Sequence, residues 1–177
     1  VEAALIAKNI APGVFRKGFA FEKWVDFDAD MFDEIYNDDS QEREFAHKIY
    51  GYDNNPKANE IATHNIKAAG VSKDIVLKLQ PFQQFEQPKE KSIIITNPPY
   101  GERIEEKANL PQLYTTIGES FQRLDSWSMY LITAYQDAER YIGRNADKNR
   151  KIYNGMMKTY FYQFLGPKPP RKKKSLE

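Results

Sequence analysis

Apolar residues recur along this chain in helical spacing and in short runs, and the two patterns alternate. Over 1–10, Ala3, Ala4, Ile6 and Ala7 gather near one side, which predicts a helix ended by Ala11, Pro12 and Gly13. Residues 31–47 predict a second helix with Phe32, Ile35 and Phe45 inward. "KIYGYD", 48–53, reads as a strand closing on an acid. "NPKANEIATHNIKAAGV", 55–71, reads as a third helix. Asn55 caps it, Pro56 suits its first position, and Gly70 ends it. Its apolar face is Ala58, Ile61, Ala62, Ile66 and Ala69. "DIVLKL", 74–79, is a further strand. "SIIITN", 92–97, is continuously apolar, as expected of a strand covered on both faces. A helix over 110–124 places Leu113, Ile117, Phe121 and Leu124 on one side. The strand "SMYLITA", 128–134, a short helix at 136–142, and two strand-like runs within 151–166 around Asn154–Gly155 complete the series.

Between these elements the pattern loosens. Residues 14–30 hold Phe15, Phe19, Phe21, Trp24 and Phe27 without period and read as an irregular packed connection. Residues 81–91 read as polar linker, and 167–177 as a basic tail that cannot fold alone. Alternating strands and helices predict an α/β fold whose sheet is mostly parallel, with an antiparallel terminal strand. No internal repeat is visible.

The 177 residues fit one domain with a real core. No apolar run approaches the roughly 18 residues of a membrane span, and none reads as a secretory signal. With no cysteine, disulfides, thiolate metal sites and a cysteine nucleophile are excluded. The two histidines, His47 and His64, are too few for a zinc cluster, and no metal is expected. A net charge of +1 hides an asymmetry. Residues 26–44 carry nine acids and one base, Arg43, whereas 140–174 carry eleven bases and one acid, Asp147. The second region is either solvated or meets an anionic partner.

Two groups sit where open α/β sheets bind ligands, beyond the carboxyl ends of strands. Asp53 ends one strand and Asn97 another, and a common sheet would face them to one crevice. Asp53 suits the two hydroxyls of a ribose; equally, it can satisfy its own backbone in a turn. No Gly-rich phosphate loop precedes its strand and no GxxxxGK[ST] occurs, which argues against nucleotide hydrolysis. "NPPY", 97–100, is more specific. The Asn97 side-chain carbonyl and the Pro98 backbone carbonyl can accept both hydrogens of a planar amine. Tyr100 can stack on the ring that carries it, while Gly101 lets the backbone approach. Such acceptors favour positive charge building on an attacking nitrogen. A tight turn with a buried asparagine cap is the structural alternative.

"IITNPPYGERI" resembles the catalytic motif of S-adenosylmethionine-dependent amino methyltransferases. With "VEAALIAKNIAPG", "FEKW", "GYDNNPKANEIATHNIKAAGV" and "RKIYNGMMKTYFYQFLGPKPP", essentially the whole chain resembles the catalytic part of the large-subunit ribosomal RNA guanine-N2 methyltransferases. Relatives of that family are often labelled N6-adenine-specific DNA methylases, because NPPY is shared. The resemblance implies a Rossmann-like class I methyltransferase sheet, incomplete at its N-terminus. It assigns 1–166 to a partial catalytic domain and 167–177 to a disordered tail. It implies S-adenosylmethionine as cofactor, contacted by Asp53, Gln80 and Asn97, with Asn97, Pro98, Pro99 and Tyr100 at the target amine. Asp53 matches the acid that holds the donor's ribose. Gln80 stands where many such enzymes have an acid reaching the adenine amine. The family's DPxxGSGT-like loop, expected before "VEAALI", is absent, as is its RNA-binding region. The fragment is therefore expected to bind the donor poorly and to be inactive alone.

The expected reaction is direct methyl transfer to an exocyclic amine of a nucleobase flipped from its stack, on ribosomal RNA in the cytoplasm. Carbon-5 pyrimidine methylation, which generally needs a thiol, is disfavoured by the missing cysteine. Lys151, Lys158 and Lys172 are candidate phosphate contacts. N6-adenine methylation of DNA, methylation of a protein glutamine, and RNA binding without turnover are the alternatives. Oligomeric state is not legible.

Overall fold

The structure is a computed structural model that describes residues 1–86, 92–101, 104–124 and 127–167. It divides into two compact units, Val1–Phe82 and Gln83–Glu177.

The first unit begins with helix α1 (Glu2–Lys8), which ends on Asn9 in the left-handed conformation rather than at Ala11–Gly13. A side chain far along the chain supports this early stop. Arg43 donates from Nε to the Ala7 carbonyl at 2.8 Å and from a guanidinium nitrogen to that of Ile6 at 3.3 Å. Its backbone N–H reaches the Lys8 carbonyl at 2.9 Å. A cation at a helix C-terminus satisfies orphan carbonyls and opposes the negative end of the dipole. The lone base of the acidic stretch therefore has a structural task.

Helix α2 spans Ala29–Tyr36, with the Asp28 side chain accepting from the Met31 N–H. It is half the length expected. Asn37 closes it by donating from Nδ2 to the Asp33 carbonyl at 2.8 Å, and Asp38 then takes the Ser40 N–H in an Asx turn. Such local side-chain bonds compete with helix continuation. Ile35, expected inward, is 68% exposed. The irregular stretch before α2 packs as an aromatic cluster. Phe19 and Phe21 stack at 5.1 Å, and Phe32 lies 5.5 Å from both Phe21 and Phe27 and 5.2 Å from Tyr36.

Strand β1 (Ile49–Asp53) pairs in parallel with β2 (Ile75–Leu79), and helix α3 (Pro56–Ala68) connects them. Asn55 caps α3 by accepting from the Lys57 and Ala58 N–H groups, and Pro56 occupies its first turn, as expected. Ala69 is the C-cap, and Gly70 takes the positive φ one residue later. Of the expected apolar face Ile66 is buried, whereas Ile61 is 63% exposed. The core of this unit is Ala4, Leu5, Ile66 and Val71, with Ile49, Ile75 and Leu77 against it.

The second unit is a four-stranded sheet in the order β3-β4-β6-β5. Its strands are β3 (Ile93–Thr96), β4 (Ser128–Thr133), β5 (Lys148–Asn154) and β6 (Met157–Phe164). β3 and β4 are parallel; β6 runs antiparallel to β4 and β5. The expected antiparallel terminal strand is thus present. β5 and β6 meet in a Gly155–Met156 turn, with Gly155 at φ +60 supplying the first position of a II′-type hairpin.

Helix α4 (Ile104–Gln122) starts earlier than the sequence suggested and contains Pro111. Helix α5 is Ala138–Ile142. A Cβ on Gly118 would lie 2.2 Å from the Ile142 carbonyl oxygen, so the glycine lets α4 and α5 approach closely. Tyr114, Ile117 and Phe121 from α4 are buried, as are Met129 and Leu131 from β4 and Phe164 from β6.

β3 departs from expectation. Ile93 and Ile95 are 57% and 69% exposed, while Ile94 and Thr96 are half-buried. Side chains alternate across a strand, so this pattern means that one face of β3 is uncovered among the described residues. The distal part of the basic tail, including Lys172, lies outside the described residues.

Candidate active site

β3 delivers Asn97 to the end of the sheet. Thr96 is registered with Leu131, and β4 ends two residues later at Thr133. The two parallel strands therefore bring the NPPY corner and Thr133 to one edge. Asn97 is exposed there, Pro98 is buried, and Tyr100 is half-buried. Gly101 follows at φ +84, where a side chain is strained, and a Cβ on it would lie 2.8 Å from Leu110 Cδ1 and 3.1 Å from Lys107 Cγ. Only glycine lets the corner press against α4 in this way.

A buried hydroxyl relay anchors the corner. The Tyr114 hydroxyl donates to the Pro99 carbonyl at 3.2 Å and shares a 2.5 Å hydrogen bond with Thr133 Oγ1. Thr133 Oγ1 in turn accepts the Tyr135 backbone N–H at 3.0 Å. Tyr114 spends its one proton on Pro99, so Thr133 must supply the proton between the two hydroxyls. The relay has a single direction. Burial pushes the Tyr114 phenol up to about 12, the Thr133 bond opposing this, so the ring stays neutral and keeps its donor. Tyr135 packs 4.9 Å from the Tyr114 ring, and Tyr141 stacks on Tyr135 at 6.0 Å.

Sequence reasoning missed Tyr114 and Thr133. A signal existed for the first: Tyr114 lies three residues before Ile117 and seven before Phe121, on the apolar face of α4. Nothing local marks Thr133.

Asp53 and Gln80 meet at the carboxyl edge of the β1–β2 ladder. The Gln80 backbone N–H donates to the Asp53 carbonyl at 3.0 Å. The Asp53 carboxylate is exposed, and its Oδ1 accepts the Asn55 N–H at 2.7 Å. The turn reading therefore holds for one oxygen. Oδ2 has no hydrogen-bond partner among the described residues and is available to a ligand. Among the described residues no helix is long and apolar enough to cross a membrane.

Parallel strands with connecting helices, an antiparallel terminal strand and NPPY at a strand's carboxyl end are the features of Rossmann-like methyltransferases. The chain belongs to the family UPF0020, RMKL-like, methyltransferase domain, which matches residues 1–163. It is 35% identical over 177 residues to a Bacillus subtilis protein named "Putative RNA methyltransferase YpsC", covering 99% of this chain and 46% of that one. It is 32% identical over 167 residues to ribosomal RNA large subunit methyltransferase K/L of Shewanella amazonensis, covering 91% of this chain and 24% of the relative. Among solved structures, a possible methylase from Clostridium difficile 630 superposes with a TM-score of 0.88 at 46% identity, covering 97% of this chain and 46% of the other. The structure described as "SMU.472, a putative methyltransferase complexed with SAH" gives a TM-score of 0.86 at 38% identity, covering 96% and 45%. The chain thus spans about half the length of YpsC and of both structures, and about a quarter of the K/L enzyme.

Proposed function

We propose that residues 1–166 form part of the catalytic domain of an S-adenosylmethionine-dependent RNA methyltransferase acting in the cytoplasm on ribosomal RNA, with guanine N2 of 23S rRNA as the target amine. The observation that carries this reading is the NPPY corner: an exposed Asn97 at the end of β3, held by the Tyr114 relay. The K/L relative, by its name, acts on large-subunit ribosomal RNA, which supports the choice of substrate. The SAH in the SMU.472 structure supports the choice of donor.

The residues present fit the ribose of such a donor. A ribose diol needs hydrogen-bond acceptors, and Asp53 offers an exposed carboxylate with one unpartnered oxygen beside Gln80. When bound, the cofactor supplies a methyl group on a sulfonium, open to in-line attack. The chain's part is positioning and electrostatics. The Asn97 side-chain carbonyl and the Pro98 carbonyl accept the two hydrogens of the amine and stabilise charge developing on its nitrogen. Tyr100 stacks on the base. Tyr114 occupies the Pro99 carbonyl and holds the corner open. The nitrogen then loses its proton to water.

The test is transfer of labelled methyl from S-adenosylmethionine by the full-length parent protein to unmodified ribosomal RNA, matching DNA and cellular protein, offered separately, with Asn97→Ala as control. Label in guanine N2 of RNA, lost in the variant, is the expected result. Label in adenine of DNA or in glutamine overturns the substrate. No label despite RNA binding overturns the enzyme reading.

A further inference from the structure

The β5–β6 hairpin carries a surface that methyl transfer leaves unused. Every residue of β5 is exposed. Between 148 and 164 stand Lys148, Arg150, Lys151 and Lys158, and no carboxylate. The antiparallel register sets Lys151 opposite Tyr160 and Tyr153 opposite Lys158. Directly opposed residues share a face, as do residues two apart on a strand. These four side chains therefore form a checkerboard on one face, cations on one diagonal and tyrosines on the other. Lys151 Nζ lies 5.2 Å from the centroid of the Tyr153 ring, and Lys158 Nζ lies 5.0 Å from that of Tyr160. Tyr153 is 62% exposed, and Met156 at the turn is fully exposed.

Lysines on an edge strand also discourage edge-to-edge pairing. That explains Lys148 and Lys151 on β5. It does not explain Lys158, because β6 lies between β4 and β5, nor a tyrosine beside each cation, Tyr153 exposed and Tyr160 half-buried.

We propose that this face of the hairpin is a contact surface for single-stranded RNA, with Lys151 and Lys158 meeting phosphates and Tyr153 and Tyr160 stacking on bases. The inference rests on RNA being the substrate, as proposed above. Lys151 and Lys158 on this face complement a polyanion, and ring faces can stack only on bases that no duplex covers. The Tyr153 hydroxyl, hydrogen-bonded to Lys151, holds the ammonium above its usual range, so the cation persists across the working pH.

The test is fluorescence anisotropy of the protein with a fluorescein-labelled single-stranded RNA about a dozen nucleotides long, over about 50 to 200 mM salt. Lys151→Gln with Lys158→Gln is expected to flatten the slope of log affinity against log salt by about 1.4, and the Lys→Arg pair to restore it. Tyr153→Ala is expected to weaken binding about 5- to 100-fold with the slope unchanged. Thermal melts confirm that each variant is folded. Wild-type affinity and slope in both variants overturn the proposal. So does a loss confined to the lysine variant, which reduces the face to a general polyanion patch. Equal, tyrosine-dependent binding of duplex DNA overturns the choice of RNA. Methyl transfer separates this surface from the reaction. Asn97-dependent label in RNA with an inert hairpin sinks the surface alone, and Asn97-dependent label in DNA or protein sinks the substrate reading.

Discussion

The Tyr114 hydroxyl reaches the Pro99 carbonyl at 3.2 Å and Thr133 Oγ1 at 2.5 Å, joining α4, the NPPY corner and β4 through one buried oxygen. Tyr114→Phe removes that oxygen and leaves the Pro99 carbonyl without its donor. The expected cost is about 1–2 kcal/mol of stability at neutral pH, measured by urea unfolding. The expected catalytic effect falls on kcat more than on the donor's Kd, because the corner loosens while Asp53 is untouched. A variant with wild-type stability and kcat would remove Tyr114 from the account.

The same residue predicts an alkaline limb. Tyr114 titrates near 12 when folded against an ordinary value of 10.0. Between those values the unfolded chain releases the proton and the folded chain keeps it. Its contribution is therefore complete below pH 10 and is lost as pH rises toward 12, by about 2–3 kcal/mol in all. Tyr114→Phe is expected to flatten this limb, checked by denaturation at stepped pH. Burial also raises Tyr162 and Tyr52, so a shallower slope remains in the variant.

Asn97 is exposed, so Asn97→Ala is expected to leave the thermal midpoint close to wild type. Methyl transfer is expected to fall about 100- to 1,000-fold in kcat, the usual loss when a preorganised polar group at a developing charge is removed. Asn97→Asp keeps an acceptor and is expected to retain part of the rate. Single-turnover transfer of labelled methyl reads both variants. An Asn97→Ala enzyme at full rate would end the role assigned to the corner.

Asp53 has one oxygen in the turn, Oδ1, and one without a hydrogen-bond partner among the described residues, Oδ2, assigned above to the donor. Asp53→Ala removes both and is expected to weaken S-adenosylmethionine binding about 10- to 100-fold, as loss of hydrogen bonds to a charged group implies. Asp53→Asn keeps an acceptor for the Asn55 N–H and is expected to separate donor binding from the turn. Titration calorimetry on the full-length parent protein measures both. Unchanged affinity in Asp53→Ala would assign Asp53 to the turn alone.

Gly118→Ala adds a methyl whose carbon would sit 2.2 Å from the Ile142 carbonyl oxygen, which is backbone and cannot swing aside. The α4–α5 contact must open, at an expected cost of about 1–3 kcal/mol in urea unfolding. A neutral substitution would show that α5 yields freely.

Much of this molecule was legible without coordinates. Asn55–Pro56 announced the start of α3, and Asn154–Gly155 the hairpin turn. The run into NPPY located the candidate site. These signals are local, because caps, turns and periodicity depend on residues within about four positions of each other. What the tertiary structure decided lies further apart. The helix expected over 31–47 stops at Tyr36, and Arg43, freed from it, caps α1 from 36 residues away in sequence. The isoleucines of β3 read as buried on both faces, but one face is uncovered among the described residues, which leaves Ile93 and Ile95 exposed. The oxygen that holds the NPPY corner comes from Tyr114, 15 residues from Pro99, and is shared with Thr133, 19 residues further along the chain. The sequence by itself determined the caps and turns of many short segments and where the NPPY corner lies, because backbone preference is set by near neighbours. Only the tertiary structure decided which groups brace that corner, because hydrogen bonds across the fold depend on how the chain packs.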